Sequence, residues 1–384
     1  MAIQSNKSEG TSDNKSLWER VRADFPVTRN LVYLNHAAVA PLPAPVALAM
    51  TQLATDARDF GSLHYGKWLE TYENCRLHAA RLIGAHRDEI AIVKNTSEGI
   101  ATVANGLAWR PGDRVVAFRE EFPANYYPWL RLAPRGVDIT WLNIEDPLEK
   151  IDEACRGARL LAISFVNYLT GYRVDLDAIG EICARHGTFY FVDAIQGLGA
   201  YPLDVRRAKI DAIAADGHKW LLGPEGCGIL YVKKERLDEI EPVEFGWTNS
   251  VSYSDYASRD MTPRPDAARY ECGTLTTIAI YGLEAALRYV LEIGIDQIQP
   301  AIDALATQIA HGVTAKGYRL ASDRRPNTTS GIVSFQKDGV DGRVIVSRLK
   351  DAGILAAPRQ GWVRTSPHFY LSPEEITRVL SAID

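Results

Sequence analysis

At 384 residues the chain is too long for one ordinary core and suits about two domains. A hydrophobic fraction of 46% and a charged fraction of 24% are those of a soluble globular protein, and they exclude a wholly disordered or fibrous one. With 43 basic residues against 48 acidic ones, and a net charge of −5, no strongly basic surface for nucleic acid is implied.

The first segment, MAIQSNKSEGTSDNKS, has no apolar core, so no secretory signal is expected and it reads as a solvated tail. The longest uncharged stretch, Ala37 to Thr55, holds Pro41, Pro43 and Pro45. That composition suits a packed loop and helix start rather than a membrane span. From Glu89 to Val232 short apolar runs alternate with helix-length segments: EIAIV, DRVVAF, VDITWL, RLLAISFV, TFYFVDA, IDAIAA and GCGILYV. Their Val, Ile and aromatic content predicts an α/β fold around a seven-stranded, mostly parallel sheet covered on both faces. Between two of the runs, LDAIGEICARHG is an amphipathic helix stopped by Gly187. After about Thr276 the texture changes. Two long helical patterns, AIYGLEAALRYVLEIG and IDQIQPAIDALATQIAHGVTAKG, precede an isolated strand, GIVSFQ, then VIVSRLKDAG and a final helix, EEITRVLSAI. The expected division is an N-terminal segment over 1–23, a large domain over 24–275 and a small C-terminal α+β domain over 276–384. Five scattered cysteines (Cys75, Cys155, Cys183, Cys227, Cys272) lack metal-binding spacing and point to reduced thiols in the cytoplasm rather than to a disulfide framework.

In open α/β sheets ligands sit outside the carboxyl ends of the strands. The polar residues that follow the strand candidates are Asn95 to Glu98, Glu121, Asn167, Asp193 with Gln196, and Asp216 to Lys219. All of them would converge on one rim. Lys219, just past a buried strand and next to Trp220, is either a lysine snorkelling from the strand end or an amine freed by apolar surroundings for Schiff-base chemistry. Asp193 suits a turn cap, or a carboxylate that keeps a cofactor's pyridine nitrogen protonated so that the ring can act as an electron sink. Gln196 is an exposed glutamine or a partner for that ring's phenolic oxygen. KNTSEGIATVANG reads as strand, then Thr96-Ser97, then helix: an ordinary capping box, or a phosphate site at a helix N-terminus.

Taken together, VDAIQG and ADGHKWLLGPEGCGILYV resemble the class V aminotransferase group of fold-type I pyridoxal-phosphate enzymes, which includes cysteine desulfurases, selenocysteine lyases, kynureninase and isopenicillin N epimerase-like proteins. The resemblance covers about residues 30 to 384. It implies pyridoxal 5'-phosphate as cofactor, Lys219 as the Schiff-base lysine and Asp193 as the pyridinium partner. Gln196 and Asn167 would lie around the phenolic oxygen, and Thr96, Ser97 and His218 would bind the phosphate. In EEFPANYYPW, Phe122 stands near where relatives place an aromatic or histidine that stacks on the ring; a core phenylalanine is the alternative. RYECGTLTT is similar to the segment that reaches the neighbouring subunit's phosphate, with Gly273 and Thr274 the matching residues, so a homodimer is implied. WVRTSPHFYLSPEEI points to Arg364 for the substrate carboxylate, and YLNHAAVAPLP brings His36 toward substrate or makes it a capping histidine.

The departures from the family pattern matter most. Cysteine desulfurases carry a nucleophilic cysteine on a loop shortly before the carboxylate arginine, whereas ILAAPRQGWVRTSP is short and has none. Arg359 and Gln360 stand there instead and are expected to read the substrate side chain. Asp216 occupies a position where desulfurases often carry a phosphate-binding serine, so it is left out of the phosphate set. The implied function is an enzyme that takes a small amino acid through an external aldimine and an α-carbanion, with Lys219 as base, in an aminotransferase-like reaction. A C–S lyase or desulfurase-like β-elimination and an epimerisation are the alternatives. A cofactor-binding scaffold without turnover is the non-enzyme reading, and Lys219, Asp193 and Arg364 together argue against it. Neither a metal, nucleic acid nor a membrane is expected to take part.

Overall fold

The seven apolar runs form the seven strands of one sheet in the computed structural model, which describes residues 15–384. Up to residue 14 the expected tail lies outside the described residues. The strands are β1 (Ile90–Val93), β2 (Arg114–Phe118), β3 (Asp138–Leu142), β4 (Leu160–Ser164), β5 (Phe189–Asp193), β6 (Ala212–Asp216) and β7 (Gly228–Val232). Their order is β1-β7-β6-β5-β4-β2-β3, with β7 antiparallel to both neighbours and the other pairs parallel. Every residue of β4, β5, β6 and β7 is buried, as a sheet covered on both faces requires. Alternation along each strand splits the interior in two. Ile92, Val116, Ile163 and Val192 face one core, while Ala91, Val115, Ala162 and Phe191 face the other.

Because β1 runs with the parallel strands, the carboxyl ends of β1, β2, β4, β5 and β6 open on one rim. β3 and β4 lie on opposite sides of β2, so the winding reverses there, the arrangement that leaves a crevice for a ligand.

The longer helices before the second sheet are α1 (Ala44–Phe60), α2 (Tyr65–Ile83), α3 (Thr96–Gly106), α4 (Leu176–His186), α5 (Thr277–Ile293) and α6 (Ile295–Ala315). The helix expected from LDAIGEICARHG is α4, and it stops at Gly187, whose φ of 68° fits a glycine C-cap. Helix α5 packs against α1 and α2. The uncharged stretch from Ala37 is a loop leading into α1, and among the described residues no helix is long and apolar enough to cross a membrane. The five cysteines are all free thiols.

GIVSFQ, expected as an isolated strand, has partners on both sides. A second sheet holds β8 (Arg319–Leu320), β9 (Val333–Gln336), β10 (Ala357–Arg359) and β11 (Trp362–Thr365) in the antiparallel order β10-β11-β9-β8. Strands of two to four residues show no readable alternation, which is why the sequence exposed one of the four. β10 and β11 are joined by Gln360 and Gly361 alone, both at positive φ (49° and 86°), the backbone that a two-residue hairpin turn demands. VIVSRLKDAG falls in a helix, α7 (Gly342–Asp351), and the last helix is α8 (Pro373–Ser381), started by a Ser372–Glu375 capping box. Phe25 stacks on Tyr370 with ring centroids 3.8 Å apart, and Arg22 pairs with Glu375 at 2.6 Å, so the chain entering the fold leans on the C-terminal elements.

Candidate active site

The rim is built by short turns that follow the strands. After β6, Gly217 is required by space: a Cβ there would meet Leu283 Cδ1 at 2.8 Å and the Cys227 carbonyl at 3.0 Å. The tight turn is held by the Gly217 amide on the Cys227 carbonyl and the Gly223 amide on the Gly217 carbonyl, and it presents His218 and Lys219. After β1, Asn95 caps α3 by accepting from the Glu98 amide, and the Thr96 hydroxyl accepts from the Asp216 amide at 3.0 Å. That hydrogen bond joins the start of α3 to the end of β6.

These turns enclose a cavity of about 360 Å³. Lys219, Asp193 and Gln196 line it from the β5 and β6 ends, Thr96, Ser97 and His218 from the α3 side, and Phe122, Tyr168, Arg359 and Arg364 from the opposite side. Burial dominates the electrostatics. It pushes the Lys219 amine down to about 8, against the opposing pull of Asp193, and neighbouring Arg364 and Arg359 push the same way as burial. It raises the Asp193 carboxyl to about 6, although the Ile195 amide and Lys219 favour its charged form. The Arg364 guanidinium is lowered to about 10 by burial and by Arg359.

The residues present fit pyridoxal phosphate. Among the described residues the Thr96 and Ser97 amides, in the first turn of α3, have no chain partner, and such a turn favours an anion. His218 Nδ1 and Asp216 Oδ1 lie 3.0 Å apart but are not aligned to hydrogen-bond, and both are buried and unsatisfied. At the other end stands a buried carboxylate, with a desolvated amine in the same cavity. Gln196 spends one amide hydrogen on the Ala37 carbonyl and accepts from Trp220 Nε1, which leaves it a second hydrogen. The Phe122 ring lies with its centroid 5.8 Å from Lys219 Nζ and meets Tyr168 edge-on at 5.2 Å.

Four of the residues singled out in the sequence stand elsewhere. His36 is fully buried, with Nδ1 on the Ser366 carbonyl and Nε2 on the Tyr370 hydroxyl, and burial drops its imidazole to about 4. Both ring nitrogens are spent, so His36 leaves the substrate set and acts as a fastener between its loop and the chain after β11. Asn167 does not line the cavity. Its amide donates to the Glu120 carbonyl and its oxygen accepts from the Leu169 and Thr170 amides, which shapes the turn carrying Tyr168. Gly273 and Thr274 line a different cavity, of about 190 Å³, beside Lys94 and Glu98.

Two residues given no role in the sequence reading stand beside the site: Tyr168, and Glu121, which only its position after a strand places on the rim. The Tyr168 carbonyl accepts from Arg364 Nη1 at 2.8 Å and its hydroxyl accepts from Gln360 Nε2 at 2.8 Å. The Glu121 carboxylate accepts from the Ser164 amide and hydroxyl, and burial, reinforced by Asp193, raises it to about 8. Both come a few residues after a strand end, the signal that places Glu121 on the rim and that could have found Tyr168.

The aminotransferase class-V family model matches residues 32–368. A protein described as a probable cysteine desulfurase from Methanothermobacter thermautotrophicus is 34% identical over 387 residues, covering 93% of this chain and 95% of that protein. Among solved structures, the apo cysteine desulfurase of Thermococcus onnurineus NA1 superposes with a TM-score of 0.88 at 28% identity, over 94% of this chain and 96% of that one. The cystine C–S lyase C-DES, in complex with its reaction product cysteine persulfide, superposes with a TM-score of 0.85 at 25% identity, over 93% and 98%. With the family model spanning nearly the whole described chain and the same architecture in these structures, the protein belongs to the class V aminotransferases and is a pyridoxal-phosphate enzyme.

Proposed function

We propose that the protein removes the α-proton of a small amino acid and carries out an aminotransferase-like reaction, working as a homodimer in the cytoplasm. The observation that carries this reading is the Lys219 amine, lowered to about 8, sharing one cavity with Asp193 and Arg364. Thr96, Ser97 and His218 would hold the cofactor's phosphate, Asp193 its ring nitrogen, Gln196 its oxygen edge and Phe122 a ring face. When bound, pyridoxal phosphate supplies the electron sink that makes a Cα bond of an amino acid breakable.

The rest falls to the chain's own residues. Arg364, whose buried Nε has no partner among the described residues, offers a planar fork to the α-carboxylate and so fixes which bond at Cα faces Lys219. An amine near 8 is partly neutral at neutral pH and can take a proton as well as return one. Returning it to a neighbouring carbon is the internal transfer that amino-group exchange requires. Phe122, on the ring side, carries no proton to deliver elsewhere. The hairpin between β10 and β11 turns in two residues and bears no thiol, so a persulfide-forming step of the desulfurase kind has no nucleophile there. The relatives named desulfurases favour direct elimination of a sulfur leaving group as the second reading, since that step needs no such thiol.

Amino acids added singly to the holoenzyme separate these readings. Keto acid together with the amine form of the cofactor is the expected product. Sulfide with pyruvate from cysteine would establish the second reading, and racemised substrate would indicate epimerisation. Retention of the α-hydrogen at Cα of every amino acid tested, with no product formed, would overturn the proposal.

A further inference from the structure

The register of the β10–β11 hairpin puts two arginines on one face. Ala357 pairs with Arg364 and Arg359 with Trp362, so residues 357, 359, 362 and 364 share a side of the sheet, and both guanidiniums line the Lys219 cavity. Neither is neutralised. Among the described residues no carboxylate lies within 4.0 Å of either; Arg359 donates to its neighbour's carbonyl at Pro358, and Arg364 to the Tyr168 carbonyl while its buried Nε stays unpaired. The other two buried arginines of the described chain are matched, Arg76 with Glu271 at 2.5 Å and Arg269 with Asp238 at 2.9 Å, whereas buried Arg364 is not; Arg359 is half-buried. Two like charges side by side in a cavity, each without a counterion, are costly unless a ligand brings the charge. The cofactor's phosphate would not bring it, since that phosphate is assigned above to the first turn of α3 and His218. An amino acid with a neutral side chain supplies one anion for two guanidiniums.

We propose that the preferred substrate is an amino acid whose short side chain ends in a second anion, a carboxylate or sulfinate, with Arg364 taking the α-carboxylate and Arg359 the side-chain anion. This rests on the assignment of Arg364 to the α-carboxylate made above. Tyr168 lines the same cavity, and its hydroxyl accepts from Gln360, the residue after Arg359 at the hairpin turn.

Succinate and butyrate, which share a four-carbon chain and differ by one carboxylate, test the pair without turnover. Titrated into the holoenzyme and followed by the cofactor's visible band, succinate should saturate at about tenfold lower concentration or less, and Arg359→Gln should erase most of that gap. Arg359→Lys, which keeps the charge, should restore part of it. In turnover, the ratio of kcat/KM for aspartate or glutamate to that for alanine should fall roughly tenfold in Arg359→Gln. Equal binding of succinate and butyrate would overturn the inference, and so would an Arg359→Gln penalty that is the same for acidic and neutral substrates. A sedimentation shift in that variant with no change in substrate preference would assign Arg359 to an acid of a second subunit instead, and would also overturn it. α-Hydrogen exchange with neutral amino acids would leave the general function standing in each of these cases. A protein that takes up no cofactor would remove both.

Discussion

Lys219, Asp193 and Glu121 show how burial alone prepares chemistry at single residues. Lys219 is held ready because desolvation outweighs the attraction of Asp193, and the consequence is measurable. Uptake of pyridoxal phosphate by the apoprotein requires the neutral amine, so its rate should climb about tenfold per pH unit at first and level off near pH 8. Stopped-flow recording of the visible band would show this, and a rate still climbing at about pH 10, the range of an ordinary lysine, would mean the amine is not desolvated. Glu121 leaves its mark on stability. Its carboxyl is raised from 4.5 to about 8 by burial, so the folded protein binds that proton more tightly than the unfolded chain. The stabilisation is complete below about 4.5 and is lost as pH rises through about 8, a drop on the order of a few kcal/mol. Asp193, raised from 3.8 to about 6, acts in the same direction at lower pH. Thermal unfolding of the apoprotein should therefore show wild type losing stability between pH 6 and 8 while Glu121→Gln stays nearly flat. Parallel curves would place Glu121 outside the buried pair.

At the scale of elements, the site depends on how closely α3 seats against the sheet. A Cβ on Gly99 would lie 2.7 Å from the Ala214 Cβ on β6, closer than two carbons can come. Since that glycine lies in the first turn of α3, Gly99→Ala must lift the helix at the end carrying Thr96 and Ser97. Overpacking of this kind costs about 1–3 kcal/mol. The expected outcome is a lower melting temperature together with at least tenfold weaker cofactor retention on dialysis, whereas Gly226→Ala, where a Cβ meets no atom within 4 Å but φ is 79°, should lower stability and spare retention. Equal retention losses in both variants would mean that α3 does not position the phosphate site. The β10–β11 hairpin plays the matching part on the opposite side of the cavity, its two-residue turn fixing the register that puts Arg359 and Arg364 on one face.

For the molecule as a whole, we propose two domains with a boundary nearer Gly294 than residue 275, because α5 packs on α1 and α2 before the chain turns into α6. We also propose that Gly273 and Thr274 serve the phosphate of a second subunit, since within one chain they line a separate cavity beside Lys94 and Glu98. Catalysis should then track dimer content. Mixing inactive Lys219→Ala with inactive Thr274→Asp chains should restore up to about a quarter of wild-type activity at equal proportions, since half the chains pair as heterodimers and each heterodimer keeps one intact site. No recovery in a mixture shown by sedimentation to exchange subunits would put Thr274 in its own subunit's site or in none.

The large sheet was legible in the sequence because each of its strands is a continuous apolar run, and complete burial on both faces writes itself locally into residue type. Lys219, Asp193, Thr96 and Arg364 were legible for a related reason: each follows or sits on such a run, in a motif whose chemistry is contained within a few neighbours. The rest is decided by pairing between distant segments, which no local pattern reports. GIVSFQ looked isolated because its partners are two to four residues long and lie on either side of it in space, not in sequence. His36 looked available to a ligand until the fold brought Ser366 and Tyr370 against its two nitrogens. Glu121 is placed on the rim by its position after a strand, but only its approach to Ser164 across the sheet makes it a buried acid beside Asp193. Arg359 and Arg364 are visible as letters, but their standing on one face, with no counterion among the described residues, is a property of strand register, which tertiary structure alone sets.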